Sequence, residues 1–250
     1  MGFDIYHTNI FTFNKSDNIM SDFELTSVTL GLRYGVLANI TAELFFRYAA
    51  ISGGAMDGFI EGFHSFFGLP EAYRPDYPRD IVNYFNNDYF DYEKNTGTMS
   101  PLIISLLARI YSDNSFSIKT RLGLGIPLKS KPGLSSDKLF LTAGLICSYR
   151  SENMKIDFSN YISWFKEPEW FANVELNDKI YFSEIRISYK RFLTGFIIKT
   201  SPLIESESGR NAYQIQLGYK INDNIELLFL EDFAPFDTSP DVSFNLRIKL

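Results

Sequence analysis

The segment GLRYGVLANITAELFFRY (31–48) contains two short alternating runs joined by a tight connection. In the second run, Leu44 and Phe46 alternate with Glu43 and Arg47. Because the side chains of a strand point alternately to opposite faces of a sheet, one face of this run is apolar and the other carries charge. The segment therefore predicts a β-hairpin whose two faces meet different surroundings.

The same alternation recurs along the whole chain. Runs rich in β-branched and aromatic residues, bounded by turn signals, predict about twelve strands. They lie near residues 3–13, 22–34, 38–50, 98–111, 115–126, 138–149, 153–165, 178–189, 191–201, 211–220, 224–231 and 241–250. The last of them, DVSFNLRIKL, again places apolar and polar side chains on opposite faces. The chain is therefore predicted to be all-β.

The connections between these strands alternate in length. Five are tight, at residues 35–38, 112–115, 150–153, 190–191 and 221–224, and the six that intervene are longer. Short periplasmic turns and long extracellular loops give this order in a closed antiparallel transmembrane β-barrel. The Greek-key crossings of a soluble sandwich do not sort loops by length. We therefore expect a single-domain outer-membrane barrel of about 12 strands over residues 1–250, integral in a bacterial outer membrane, with its apolar face against lipid.

Composition excludes several classes of protein. The net charge of −6 and the pI near 5.1 argue against nucleic-acid binding, which favours a basic patch. The single cysteine, Cys147, rules out an intrachain disulfide, and no Cys/His group has the spacing of zinc ligands. We therefore expect no metal and no cofactor.

Hydropathy is consistent with strands rather than membrane helices. No apolar run reaches the roughly 18 residues that a spanning helix needs, but a barrel requires only alternate residues to be apolar. The first residues, MGFDIYHTNI, lack a basic region followed by an apolar run, so we expect no signal peptide here and, if the protein is exported, a processed chain. Aromatic side chains cluster toward strand ends, where they would meet the lipid interfaces. They are Tyr34, Tyr48, Tyr111, Tyr149, Trp164, Tyr181, Tyr189, Phe192, Tyr213 and Tyr219.

One connection, residues 52–97, is far longer than the others. A helix is predicted near 55–69, ending at Gly68-Leu69-Pro70, because apolar residues recur there at helical spacing. Its apolar residues are Met56, Phe59, Ile60, Phe63, Phe66 and Phe67, and Asp57, Glu61 and His64 fall on another face. The phenylalanines leave water only if the helix packs on the lumen wall, the barrel rim or the outer-leaflet interface.

Two segments resemble the signature segments of a bacterial outer-membrane β-barrel family catalogued as domain of unknown function 3187. They are MDGFIEGFHSFFGLPEAYRPDYPRD (56–80) and EDFAPFDTSPDVSFNL (231–246). The matching residues are Asp57, Phe59, Ile60, Glu61, Phe63, His64, Phe67, Gly68 and Arg79 in the first, and Thr238, Ser239, Pro240 and Asp241 in the second. The resemblance implies an outer-membrane barrel and no particular activity. The chain departs from many such barrels by ending in Leu250 rather than in an aromatic residue.

The charged face of the strands is the main functional candidate. The residues expected to face the lumen are Arg33, Glu43, Arg47, Arg109, Lys119, Arg121, Lys155, Asp157, Glu184, Arg186, Lys199, Glu226, Arg247 and Lys249. Bases outnumber acids in this set, and a basic constriction favours anions in a pore. We therefore expect a narrow, anion-preferring channel or small-solute uptake barrel, with a small polar or anionic solute and outer-membrane lipid (lipopolysaccharide or phospholipid) as partners. The alternative is a non-conducting structural or partner-binding barrel in which paired charges fill the lumen and the 55–70 helix acts as a plug.

The long connection supplies a second set of candidates. Asp57, Phe59, Glu61, Phe63, His64 and Phe67 are candidate gate residues. Glu61 and His64 stand one helical turn apart, so they form either a proton-linked gate or the polar side of an amphipathic helix. A lipid hydrolase is not expected, because His7 and His64 are the only imidazole bases and neither lies in a nucleophile motif. The adjacent Ser65 would point away from His64 on a helix.

Overall fold

The computed structural model describes residues 1–14, 19–54, 56–68, 78–86, 90–129, 131, 137–165, 179–200, 211–233 and 242–250. Fifteen strands lie in this part of the chain. They are β1 (Gly2–Asn14), β2 (Ile19–Leu37), β3 (Ile40–Ser52), β4 (Asn83–Asn86), β5 (Phe90–Tyr92), β6 (Thr96–Met99), β7 (Leu102–Ser112), β8 (Phe116–Ile126), β9 (Phe140–Arg150), β10 (Met154–Phe165), β11 (Lys179–Tyr189), β12 (Phe192–Thr200), β13 (Asn211–Lys220), β14 (Ile225–Phe233) and β15 (Val242–Lys249). One helix, α1, spans Asp57–Phe67.

Twelve strands form a closed antiparallel barrel, as the sequence predicts. Neighbours along the chain pair in the order β1-β2-β3-β7 and then β8 through β15. Closure comes from β15, which pairs back onto β1 from Gly2↔Lys249 to Thr8↔Ser243. The tight connections lie at one end of the barrel, and both termini lie at the same end. The termini are in contact, because Leu250 N–H donates to the carbonyl of Met1.

The tight turns have local causes. Between β7 and β8, one carboxylate oxygen of Asp113 accepts hydrogen bonds from the backbone N–H of Phe116 (2.7 Å) and of Ser115 (2.8 Å). These two donors stabilise the ionised carboxylate and so lower the pKa of Asp113. An aspartate that bonds its own turn in this way favours a short connection.

The long connection contains two short strands that sequence periodicity missed, β4 and β5, and a third, β6, that the strand predicted near 98–111 covers in part. β4 pairs with the start of β2 (Asp22↔Asn83), and β5 pairs with β4. β6 pairs with the end of β3 (Tyr48↔Met99). The predicted strand near 98–111 is thus two strands, because Pro101 separates β6 from β7. Within the described residues, α1 is too short and too polar to be a membrane-crossing helix.

Exposure separates the two faces of the barrel wall. Register partners of an antiparallel pair share a face. One face carries the exposed apolar side chains, such as Leu122 (63% exposed), Leu217 and Tyr34, and the other carries buried polar ones such as Glu43. The first is the outer face and the second faces the lumen. One lumen wall is apolar instead, and it consists of Leu193, Ile197, Leu228 and Leu230 with Tyr6 and Phe182 against them.

Candidate functional site: a charged lumen and an outer helix

The lumen charges are organised around buried carboxylates, and Glu43 on β3 is the clearest case. Glu43 is 1% exposed. Arg33 and Arg121 each donate to it at 2.8 Å, from the neighbouring strand β2 and from β8 across β7. Ser105 of β7 adds a hydroxyl at 3.3 Å. Arg121 also lies 5.4 Å over the ring of Tyr161, which fixes its guanidinium between a charge and an aromatic face.

Asp157 on β10 and Glu226 on β14 also bind basic side chains in the lumen, nearer the turn end of the barrel. Asp157 accepts from Lys155 and from Ser148 (2.7 Å), and Arg186 on β11 lies 3.8 Å away. Register explains the last contact, because Asp157 and Arg186 are direct cross-strand partners. Each acid therefore meets more than one base.

Glu226 on β14 repeats this arrangement. It accepts from Lys249 at 2.6 Å and lies 3.6 Å from Arg247, both on β15. Arg247 also donates to Asp4 of β1 at 3.1 Å, across the strand pair that closes the barrel. Asp4 was missing from the predicted lumen set, although it alternates with Phe3 and Ile5 in the first strand.

The remaining predicted lumen residues lie on the same inward face. Lys119 sits among the charges of Lys155, Arg109 and Arg33, with Asp157 as the acid within its electrostatic range. Arg47 interacts electrostatically with Asp4. Register places Glu184 opposite Ser159 and Lys199 opposite Phe182 on this face.

Glycines create space for aromatic rings along the lumen wall. A Cβ at Gly144 would lie 2.2 Å from the Tyr161 ring, and one at Gly125 would lie 2.1 Å from the Phe140 ring. The rings therefore lie flat on the backbone of the neighbouring strand rather than across the lumen. The tilted ring contact between Phe140 and Phe165 (centroids 5.0 Å apart) continues this aromatic lining toward the loop end.

Helix α1 is seated on the outer face of the barrel. Its buried side chains Met56 and Ile60 pack on Val242, and its rings contact Phe244 and Phe229. These three barrel residues share the outward parity of Leu246 and Leu227. The helix thus lies over the strands that close the barrel, β14, β15 and β1. It ends at Gly68 in the left-handed conformation (φ +67°).

Polar contacts attach the inner side of this helix to the wall. Asn9 of β1 donates to Asp57 at 2.9 Å, and the backbone N–H of Met56 donates to Glu24 of β2. His64 is fully buried, with Nε2 3.7 Å from a carboxylate oxygen of Glu231 on β14. Asp57 also accepts from the backbone N–H of Asp80 at 2.7 Å.

This placement corrects two expectations. Asp57 and His64 are buried against the barrel, so they do not form the solvated polar side of the helix. Glu61 does fall outside and pairs with Arg79, whose Nε donates at 3.0 Å. Because α1 packs on outward-facing side chains, it lies outside the barrel and does not plug the lumen. The second signature segment is described only in part, since Thr238, Ser239, Pro240 and Asp241 lie outside the described residues.

A hydroxyl, an imidazole and a carboxylate lie in a row beside the helix. His7 Nδ1 is 2.8 Å from the hydroxyl of Thr26, and His7 Nε2 is 3.0 Å from Glu24. Sequence reasoning named His7 but not these partners, because they come from the neighbouring strand β2. Glu24 also holds the helix through Met56, so the row forms part of its attachment. No group of His, Cys, Asp and Glu in the described part of the chain has the arrangement of a metal site.

The family described as "Protein of unknown function (DUF3187)" matches residues 3–249. The chain belongs to the DUF3187 family. No curated protein matches it in sequence. The matched residues include the whole of α1.

Solved structures that resemble this DUF3187 barrel are outer-membrane proteins. The KdgM porin in complex with disordered oligogalacturonate has a TM-score of 0.51 at 8% identity, over 100% of this chain and 99% of that one. The COG4313 outer membrane channel from Pseudomonas putida F1 has 0.58 at 11%, over 99% and 94%. The Salmonella typhi outer membrane phospholipase dimer with bound calcium has 0.51 at 10%, over 99% and 90%. These likenesses establish the fold, which channels and an enzyme share.

Proposed function

We propose that this protein is a narrow, anion-preferring channel for small polar solutes in a bacterial outer membrane. The observation that carries the proposal is the pairing of two bases, Arg109 and Lys119, as direct cross-strand partners on the inward face, with Lys155, Arg33 and Asp157 within electrostatic range of Lys119. A water-filled constriction with this excess of positive charge lowers the energy of an anion and raises that of a cation. Twelve strands leave a lumen between those of filled eight-strand barrels and open porins.

The fixed charges keep this basic surface in place. Glu43 holds Arg33 and Arg121, Asp157 holds Lys155 and Arg186, and Glu226 holds Lys249. Around Glu43 and around Asp157 two bases meet one acid, so these two clusters keep positive charge available to a passing anion, whereas Lys249 and Arg247 are balanced by Glu226 and Asp4. Around Glu43 and Asp157, pairing therefore positions the cations without cancelling them.

The lining beside Arg121 suits an anion that also has an apolar face. The rings of Tyr161 and Phe45 lie 5.4 and 5.8 Å from its guanidinium carbon. A flat ring supplies an apolar surface, while a guanidinium binds a carboxylate through paired hydrogen bonds. The KdgM porin in complex with oligogalacturonate, a barrel of similar fold, supports a carboxylate-bearing solute.

A non-conducting barrel is the second candidate. The apolar wall formed by Leu193, Ile197, Leu228 and Leu230 packs against Tyr6 and Phe182 from other strands. Side chains that meet inside a barrel narrow its lumen, and this observation favours a closed barrel with a partner-binding role. For both candidates we propose a barrel without catalytic activity, because Glu24 of the His7 row also accepts from the Met56 backbone.

Single-channel recording in a planar bilayer with a salt gradient tests the proposal. Steady openings and a reversal potential toward the chloride equilibrium value are expected. Lys119→Gln should reduce this preference, whereas Lys94→Gln, the same change at an exposed residue outside the barrel wall, should leave it unaltered. A silent wild-type protein would overturn the channel and leave the non-conducting barrel. A conducting protein with cation preference would overturn the basic lumen.

A further inference from the structure

The side of α1 that faces away from the barrel is aromatic. Phe59, Phe66 and Phe67 are 49%, 82% and 60% exposed, and we call these three residues the outer face of α1. On the side of Phe59 and Phe66, the exposed Gly58 and Gly62 present no side chain and the exposed Ser65 presents a small one. An amphipathic helix in water would turn such rings inward, so this helix is oriented for surroundings other than water.

The outer face of α1 is continuous with the barrel wall. Ring centroids of Phe66 and Phe67 are 4.9 Å apart, and those of Phe67 and Phe63 are 4.8 Å apart. Phe63 then lies 5.6 Å from Phe229, which lies 5.5 Å from Phe244. A chain of rings therefore runs from the tip of the helix to the lipid-facing side of β14 and β15.

The level of the helix follows from strand length. A barrel strand crosses the hydrocarbon with about 9–11 residues. β15 has 8 residues, from Val242 at the loop end to Lys249 at the turn end, so Val242 lies near the place where the strand leaves the membrane on the loop side. Because α1 packs on Val242, the helix sits at the boundary of the outer leaflet.

The inner contacts prevent the helix from rolling over. Asp57, held by Asn9, and His64, 3.7 Å from Glu231, lie a little under two turns apart on the same side. Rolling the rings inward would carry both polar groups away from these partners and into the surroundings of the barrel. The side opposite to them is thereby fixed outward.

We infer that the outer face of α1 is a contact surface for the acyl chains of outer-leaflet lipid. The occupant is lipid rather than a second copy of the chain because the surface continues the outward apolar side chains of Leu227, Leu246 and Ile248 without a break. The inference is independent of conduction, since it concerns the outside of the barrel. β1 pairs with β15 only as far as Thr8, but it continues along β2 to Asn14. The helix covers the closing strands at this place.

Tryptophan fluorescence in vesicles tests this contact. The chain has two tryptophans, which Trp164→Phe and Trp170→Phe remove to give a silent background. Phe66→Trp is then placed in this background and folded into phosphatidylcholine vesicles with or without bromine on the acyl chains. Bromine quenches only tryptophans that touch those chains, whereas iodide quenches those that touch water.

Two further variants calibrate the result. Leu217→Trp reports a lipid-facing strand position, and Glu152→Trp reports an exposed turn. Phe66→Trp should be quenched by brominated lipid as strongly as Leu217→Trp and resist iodide. Quenching by iodide at the level of Glu152→Trp, or emission that neither agent quenches because protein covers the ring, would overturn the inference. Phe67→Trp repeats the test on the same face, and heat-modified migration in electrophoresis checks that each variant is folded.

Discussion

Replacing Glu43 by Gln should strengthen the anion preference of the lumen. The carboxylate is buried and holds two guanidinium groups at 2.8 Å, so the substitution removes one negative charge at a site where the bases stay anchored by their own strands. Arg121 keeps its contact with Tyr161 and Arg33 keeps its place on β2. The local charge therefore becomes more positive by one unit.

The size of the effect follows from Coulomb's law. A unit charge acts on an ion about 7 Å away in water with about 0.6 kcal/mol. That energy raises the local concentration of an anion about 2.7-fold and lowers that of a cation by the same factor. The anion to cation ratio should thus rise by up to about sevenfold at low salt, and by about twofold near 0.15 M, where the screening length is about 8 Å.

The measurement is the reversal potential of Glu43→Gln under a potassium chloride gradient at two salt concentrations. Glu152→Gln is the matched control, because it removes the same charge from an exposed turn outside the lumen. The reasoning fails if Glu43→Gln and Glu152→Gln have equal selectivity while both conduct. A fall in anion preference would mean that the two arginines leave their positions without Glu43, and it would refute the expectation that Tyr161 and the backbone of β2 and β8 hold them there.

Three other substitutions test the remaining features. Gly144→Ala should cost about 1–3 kcal/mol in the free energy of unfolding in urea, because the new methyl group meets the Tyr161 ring and must displace it. Ile60→Ala removes a fully buried side chain under α1 and should weaken docking of the helix by about 2–5 kcal/mol, which chymotrypsin cleavage within α1 measures. His7→Ala should leave phospholipid turnover by the purified protein at the wild-type level, since that level is background for a protein without hydrolase activity.

The glycine substitution and the helix substitution each have a matched control variant. Gly35→Ala adds the same methyl group where nothing lies within 4 Å, so it should leave stability unchanged. Ser65→Ala changes an exposed side chain of α1, keeps every chymotrypsin site in the helix, and should not loosen α1 from the wall. Equal urea midpoints for the two glycine variants, or equal cleavage of the two helix variants, would contradict the packing described above. Lipid turnover that His7→Ala abolishes would show that the barrel is an enzyme.

The barrel could be predicted from the sequence because two independent signals agree. Alternation fixes which face each side chain occupies, and the order of short and long connections fixes closure and the position of the termini. The lumen pairs could not be predicted, because alternation does not specify register. Glu43 meets Arg33 as a direct cross-strand partner but meets Arg121 only across an intervening strand. Such a contact depends on barrel curvature, which no local pattern records.

Helix α1 shows how a correct element can be given the wrong orientation. Its periodicity predicts an amphipathic helix with rings toward a partner and Asp57 and His64 toward water. The partner instead supplies Asn9 and Glu231, so the polar residues turn toward the protein, and the surroundings beyond the helix accept the rings. Hydrophobic periodicity identifies two faces but not what each face meets. A helix between a polar patch and lipid is therefore inverted relative to one between a core and water. The buried Asn9, Glu24 and Glu231 on the otherwise apolar outer face of the strands are the sequence signal that could have indicated this, because isolated polar residues on a lipid-facing side need protein partners.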